Sequence, residues 1–167
     1  MADTSLIAPE QTETLTSGDD KLFEIVELLF FAYRDFTSDP DEILVTYNFG
    51  RAHHRVLHFV GRNPGLRVSQ LLDILKITKQ SLGRVLRQLI EEGFIIQKEG
   101  KTDRRQRLLF LTNTGTDLAR RLAAPQLRRI AAALEGKGTG DAAFAREFLY
   151  SLVDEQEHAK VQAIVQK

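Results

Sequence analysis

The sequence predicts a mainly α-helical protein with one small β-hairpin. Three observations predict it. Apolar residues recur at every third or fourth position over most of the 167 residues. That period gives way to β-rich stretches only after Gly93, on either side of the Gly-Lys-Thr-Asp break at 100–103. Four Pro and 11 Gly leave room for long helices. One core is feasible, because a chain of ~150 residues buries about 70% of its unfolded surface.

The elements follow in order. Residues 1–18 are polar, rich in Thr and acidic, and without period, so they read as a flexible arm. Asp19 or Asp20 caps a first helix that carries Leu22, Ile25, Val26, Leu29, Phe30 and Tyr33 and ends near Phe36. Thr37-Ser38-Asp39-Pro40 reads as a turn. A second helix then carries Ile43, Leu44, Tyr47, Phe49, Val56, Leu57 and Val60, and stops at Gly61-Arg62-Asn63-Pro64-Gly65. Ser69 is placed to cap a short third helix with Leu71, Leu72 and Leu75 on one face. Ile77-Thr78 makes a tight turn, Thr78 caps the next helix, and Gly93 closes it at the C′ position. Two short helices joined by so short a turn form a helix-turn-helix. Phe94–Glu99 and Leu108–Thr112 then pair as a hairpin with a basic tip, Lys101 through Arg107, and that order of elements is a winged helix. Helical spacing resumes from Thr114 to about Leu134 across Pro125. After the Gly-rich break at 136–140, Asp141 caps a last helix to about Ile164.

Composition excludes whole classes. The chain is 43% apolar and 28% charged, as soluble proteins are, and no apolar run approaches the ~20 residues of a membrane span. No membrane partner is expected. The absence of Cys excludes disulfides, thiolate zinc sites and thiol-oxidation sensing. The start lacks a basic patch followed by an apolar core, so the cytoplasm is the expected location. There is no G-x-S-x-G, P-loop or nucleotide fingerprint, so neither an enzyme nor a cofactor is expected.

A net charge of zero conceals a segregation. Residues 1–50 hold two basic and 11 acidic residues, residues 51–107 hold 13 basic and five acidic, and residues 108–167 hold eight basic and seven acidic. The middle third is thus a basic domain between acidic and neutral flanks, as a nucleic-acid partner requires.

Within it, Leu82, Val85, Leu86, Leu89 and Ile90 set the buried face of the second helix of the helix-turn-helix. Lys79, Gln80, Arg84, Arg87 and Gln88 take the other face, with Ser81 near its N-terminal rim. Gln bonds adenine and Arg bonds guanine through two contacts each in the major groove, and the N-terminal part of a recognition helix does the reading, which favours Gln80, Ser81 and Arg84. The hairpin tip carries Arg104, Arg105 and Arg107, suited to the negative potential of a narrow minor groove. Asp103 repels phosphate, so its task is to orient a neighbouring Arg. Ser69 with the free N–H groups of its helix, Arg62 and Arg67 can hold phosphates. Gly83, in mid-helix, reads equally as close approach to DNA backbone or as drift.

The residues resemble the MarR family of bacterial transcription regulators over roughly 20–160. The resemblance rests on Val68-Ser69 through Ile77-Thr78 to Leu89, on Glu91-Glu92-Gly93-Phe94-Ile95, on Asp103-Arg104-Arg105 as a D-x-R wing signature, and on Leu111-Thr112-Asn113-Thr114-Gly115. It implies a homodimer in which 19–40 is an N-terminal dimerisation helix, 41–113 the winged helix-turn-helix DNA-binding region and 114–167 the C-terminal dimerisation helices. It places the minor-groove role on Arg105. It implies a regulator, expected to be a repressor, that binds a pseudo-palindromic double-stranded operator and responds to a small aromatic or anionic effector. Tyr47, Arg51, His54 and His58 lie on the right helix to line the effector pocket. Two alternatives remain: a winged-helix protein-interaction adaptor, and a metal-responsive regulator using the i, i+4 pair His54 and His58. A site with two ligands is weak, and no metal is expected.

Overall fold

The computed structural model describes residues 19–100, 103–136 and 138–166; the arm expected at 1–18 and the wing residue Lys101 lie outside the described residues. In chain order these form α1 (Asp20–Val45), α2 (Arg51–Arg62), β1 (Leu66–Arg67), α3 (Val68–Leu75), α4 (Lys79–Glu91), β2 (Ile95–Glu99), β3 (Arg107–Leu111), α5 (Asn113–Leu134) and α6 (Thr139–Ser151). A 3₁₀ turn (Glu155–Glu157) and α7 (His158–Val165) complete them. The fold is mainly α with a small antiparallel sheet. Contacts group the chain into two units, 1–35 and 36–167.

In the first unit, the described part of α1 exposes its apolar side chains. Leu22 is 61% exposed, Phe30 70%, and Ile25 and Val26 more than 40%. Exposed apolar surface of this extent is uncommon on a chain that acts alone.

In the second unit Thr37–Pro40 is not the expected turn: α1 runs through it to Val45. Proline in a helix leaves the carbonyl four residues earlier without its donor. Here that carbonyl, of Phe36, accepts from Nε2 of Gln126 on α5 at 3.2 Å, and Pro40 itself is fully buried. Asp39 pairs with Arg129 of α5 at 2.9 Å. The chain breaks instead at 46–50, where Asn48 takes a left-handed φ of 54° and Gly50 caps α2. The helix expected over 41–60 is therefore the end of α1 and all of α2.

The sheet has the order β1-β3-β2, all antiparallel. Ile95 pairs with Leu111 and Glu99 with Arg107, which confirms the expected hairpin. β1 is an addition: Leu66 pairs with Leu109. Two residues are too few to show a strand period. The core lies between the sheet and α2–α5, with Val56, Leu57, Val60, Leu71, Leu89 and Leu109 all wholly buried.

Two further expectations change at helix ends. Arg67, not Ser69, is the N-cap of α3; Ser69 sits in the first turn, and Gln70 Oε1 accepts the Arg67 N–H at 3.0 Å. Gly138, not Asp141, caps α6, and Asp141 reaches back to accept the Gly138 N–H at 2.7 Å. The last helix is also two. Between α6 and the 3₁₀ turn the chain bends at 152–154, where His158 Nε2 meets the Val153 carbonyl at 2.8 Å and the Tyr150 hydroxyl donates to the His158 carbonyl at 3.1 Å.

Candidate nucleic-acid interface

α4 is built as its sequence predicts. The Thr78 hydroxyl accepts from the Ser81 N–H at 3.1 Å, satisfying one of the open donors of the first turn. At the other end, Gly93 takes φ +78°, its N–H bonds the Ile90 carbonyl at 3.1 Å, and the Phe94 N–H bonds Leu89 at 2.8 Å. This paired closure needs a left-handed C′ residue, which glycine adopts without a Cβ clash. Leu82, Val85, Leu86 and Leu89 are buried, so Lys79, Gln80, Ser81, Arg84 and Arg87 stand exposed on the remaining arc. Lys79, Gln80, Arg84 and Arg87 have no side-chain partner among the described residues.

Gln88 departs from the expectation. It is half-buried, and its Oε1 lies 2.9 Å from Nε2 of His53 on α2, while its Nε2 donates to Glu92 at 2.9 Å. Nδ1 of His53 accepts from the Gly50 N–H at 3.1 Å, so the proton sits on Nε2 and points at Gln88. The His53 ring stacks on Phe49 at 4.6 Å, nearly parallel. Sequence reasoning missed His53, since no period links residues 35 apart. Arg55 of α2 adds a second brace by donating to the Leu75 carbonyl at 3.3 Å, at the end of α3.

Asp103 of the wing tip also departs from expectation. Its carboxylate accepts from the backbone N–H of Arg105 at 2.9 Å, so it shapes the turn and does not hold a guanidinium. The turn is closed by the Gln106 N–H on the Asp103 carbonyl at 3.1 Å. Arg104 and Arg105 are exposed and extend from it. Arg107 is engaged: its guanidinium bonds Glu99 across the hairpin at 3.0 Å.

The base of the wing is clamped to the end of α4. The Thr112 hydroxyl donates to the Gly93 carbonyl at 2.7 Å and accepts from the Gly115 N–H at 3.0 Å, so it caps α5 and ties it to the α4 exit. A Cβ on Gly115 would lie 2.0 Å from the Phe94 carbonyl oxygen, which explains the glycine three residues after the threonine.

Two of the four residues expected to line an effector pocket bond other side chains. The Tyr47 hydroxyl accepts from Arg121 at 2.6 Å, and Arg51 pairs with Asp41 at 2.7 Å. Of the four, only His58 lines the cavity of about 650 Å³ between α2, β3 and α5, whose wall also holds Arg62, Phe110, Leu111, Arg120 and Leu127. Burial, and then the charge of His58, lower the pKa of His54; burial and then Arg62 lower that of His58. No group of three or more metal-ligating side chains gathers among the described residues.

The profile of the MarR family matches residues 47–106, from the start of the α2 cap region to the wing tip. The chain is 45% identical to the HTH-type transcriptional regulator PetP of Rhodobacter capsulatus, over 92% of both chains. It belongs to the MarR family of transcriptional regulators. Among solved structures, it is similar to a MarR-family transcriptional regulator of Listeria monocytogenes complexed with a 26mer DNA. That match has a TM-score of 0.67 and 23% identity, over 81% of this chain and 89% of that one. It is similar to MarR itself with a TM-score of 0.61 and 20% identity, over 90% and 99%. The winged helix of the MarR fold thus corresponds here to α2–α4 with the β1-β3-β2 sheet, and the wing is the β2–β3 hairpin.

Proposed function

We propose that this MarR-family chain regulates transcription in the cytoplasm by binding a pseudo-palindromic double-stranded operator as a homodimer. The observation that carries the reading is the exposed arc Lys79, Gln80, Ser81, Arg84 and Arg87 on a helix whose opposite face is locked in the core. α4 enters the major groove, where Gln80, Ser81 and Arg84 read base edges and Lys79 and Arg87 flank them on phosphates. The wing delivers Arg104 and Arg105 to the adjacent minor groove, and the first turn of α3, with Ser69, holds a phosphate. Arg107 contributes less than these, because Glu99 already neutralises it.

The dimer is formed through the apolar side chains of α1 and of the C-terminal helices. Leu127 is 65% exposed, Phe144 68% and Leu149 57%, in addition to the exposed apolar side chains of α1. Two copies double the phosphate and base contacts and bring the second half-site within reach of the first.

The chain acts as a repressor released by a small aromatic or anionic effector. The cavity between α2, β3 and α5 favours this: it combines an apolar wall, Phe110, Leu111 and Leu127, with Arg62 and Arg120 for a carboxylate.

Selection of bound sequences from a random DNA pool tests the core of the proposal. The expected product is an inverted repeat bound by two chains. A pool that stays random overturns the reading. Arg84→Ala should then relax preference at particular positions and cost ~1–3 kcal/mol on the selected site.

A further inference from the structure

We propose that Glu157 and Lys160, near the C-terminus, are positioning residues for the helix-turn-helix. This rests on the reading that α4 recognises DNA.

Lys76 is the first residue of the turn between α3 and α4, and it takes a left-handed conformation, φ 51° and ψ 41°. A residue with a Cβ is strained there, and such strain persists only where the surroundings hold it. Its ammonium bonds Glu157 at 3.1 Å, 81 residues away, and Asp73 at 3.4 Å. Lys160 closes the ring by pairing with Asp73 at 3.3 Å and Glu157 at 3.5 Å. Two carboxylates and two ammonium groups thus alternate around one point. The Lys160 and Lys76 bonds lower the Asp73 pKa, and the Glu157 bond raises that of Lys76.

An apolar crevice lies beside the ring. Val161 and Ile164 of α7 line one crevice with Phe59 of α2 and Ile74 of α3. The C-terminal segment therefore lines one crevice with α3 and is fastened by charge to the residue that opens the turn before α4. An isolated surface pair contributes little, but a reciprocal ring about a strained turn fixes a direction. Whatever moves the C-terminal segment in the dimer then reaches the aim of α4 through Lys76.

Binding of the full chain to a selected sequence and to random DNA, by fluorescence anisotropy at one salt concentration, tests this. Glu157→Gln and Lys76→Ala should each weaken the selected sequence about three- to fivefold and leave random DNA unchanged, so that specificity falls while phosphate contacts persist. Lys76→Gly should recover most of the loss, because glycine holds the left-handed turn without strain. An unchanged ratio for Glu157→Gln overturns the inference, as does equal weakening on both DNAs. So does a Lys76→Gly as poor as Lys76→Ala. A wild-type chain that selects no sequence overturns the DNA-reading proposal and this inference together. A selective wild type with an indifferent Glu157→Gln overturns this inference alone.

Discussion

Nε2 of His53 lies 2.9 Å from Oε1 of Gln88, and this contact joins α2 to α4. With the Gly50 N–H on one side of the imidazole and Glu92 beyond the amide, four polar groups form one chain across the winged helix. His53 and Gln88, the half-buried pair at its centre, are costly to leave unpaired.

His53→Ala should therefore lower stability by ~1–2 kcal/mol, read as the urea midpoint at constant slope. It removes the Gln88 partner and the stacking on Phe49 together. A midpoint equal to that of the wild type would show that the chain of bonds adds nothing.

Asp103→Asn and Asp103→Ala separate charge from geometry at the wing. Asn keeps the side-chain oxygen that accepts the Arg105 N–H, and it removes the negative charge beside DNA. Asn should bind the operator as well as wild type or better, and Ala should bind more weakly. Tighter binding by Ala would mean that simple repulsion governs the tip. Arg105→Lys should not restore what Arg105→Ala loses, because Lys is more strongly hydrated and lacks the planar fork.

Two glycines should respond in opposite ways to alanine. At Gly115 a Cβ would sit 2.0 Å from backbone oxygen, and Gly115→Ala should cost about 2–4 kcal/mol. At Gly83 nothing lies within 4 Å, and the helix should gain up to ~1 kcal/mol. Operator titration of Gly83→Ala then separates the two origins of that glycine: weaker binding by the more stable variant indicates close approach to DNA, and unchanged binding indicates drift.

The apolar stripe of α1 predicts the assembly. Leu22→Glu with Phe30→Glu should convert a dimer to a monomer in sedimentation, with loss of operator binding, since both side chains are exposed in the single chain. A dimer that survives both changes would place the interface elsewhere.

Acid should weaken the fold through His54. Its pKa is lowered, first by burial and then by His58, so the folded chain binds fewer protons than the unfolded one. Stability is complete above the ordinary imidazole value of ~6.5 and falls as pH drops through it toward the folded value. His54→Gln should flatten that part of the urea-midpoint curve. Parallel curves for variant and wild type would exclude His54 as the source.

Local chemistry was enough to predict much of this molecule. Helix α4 follows from Thr78, the apolar repeat from Leu82 to Leu89 and Gly93, because caps and period act within a few residues. The hairpin follows from β-rich stretches around a basic break, and the exposed arc from the helical period. Contacts between distant residues decided the rest. Pro40 reads as a helix end, yet Gln126 supplies the donor that proline withholds. Ser69 and Asp141 are good cap residues, but where the chain enters α3 and α6 made Arg67 and Gly138 the caps. Gln88 shares a face with Arg84 in the periodic pattern, and His53 turns it inward. Tyr47 and Arg51 lie on the expected pocket segment, and Arg121 and Asp41 occupy them. A sequence carries the preferences of short segments; which polar groups satisfy one another across the core depends on packing, because each unpaired group there is costly and the nearest partner in space takes it.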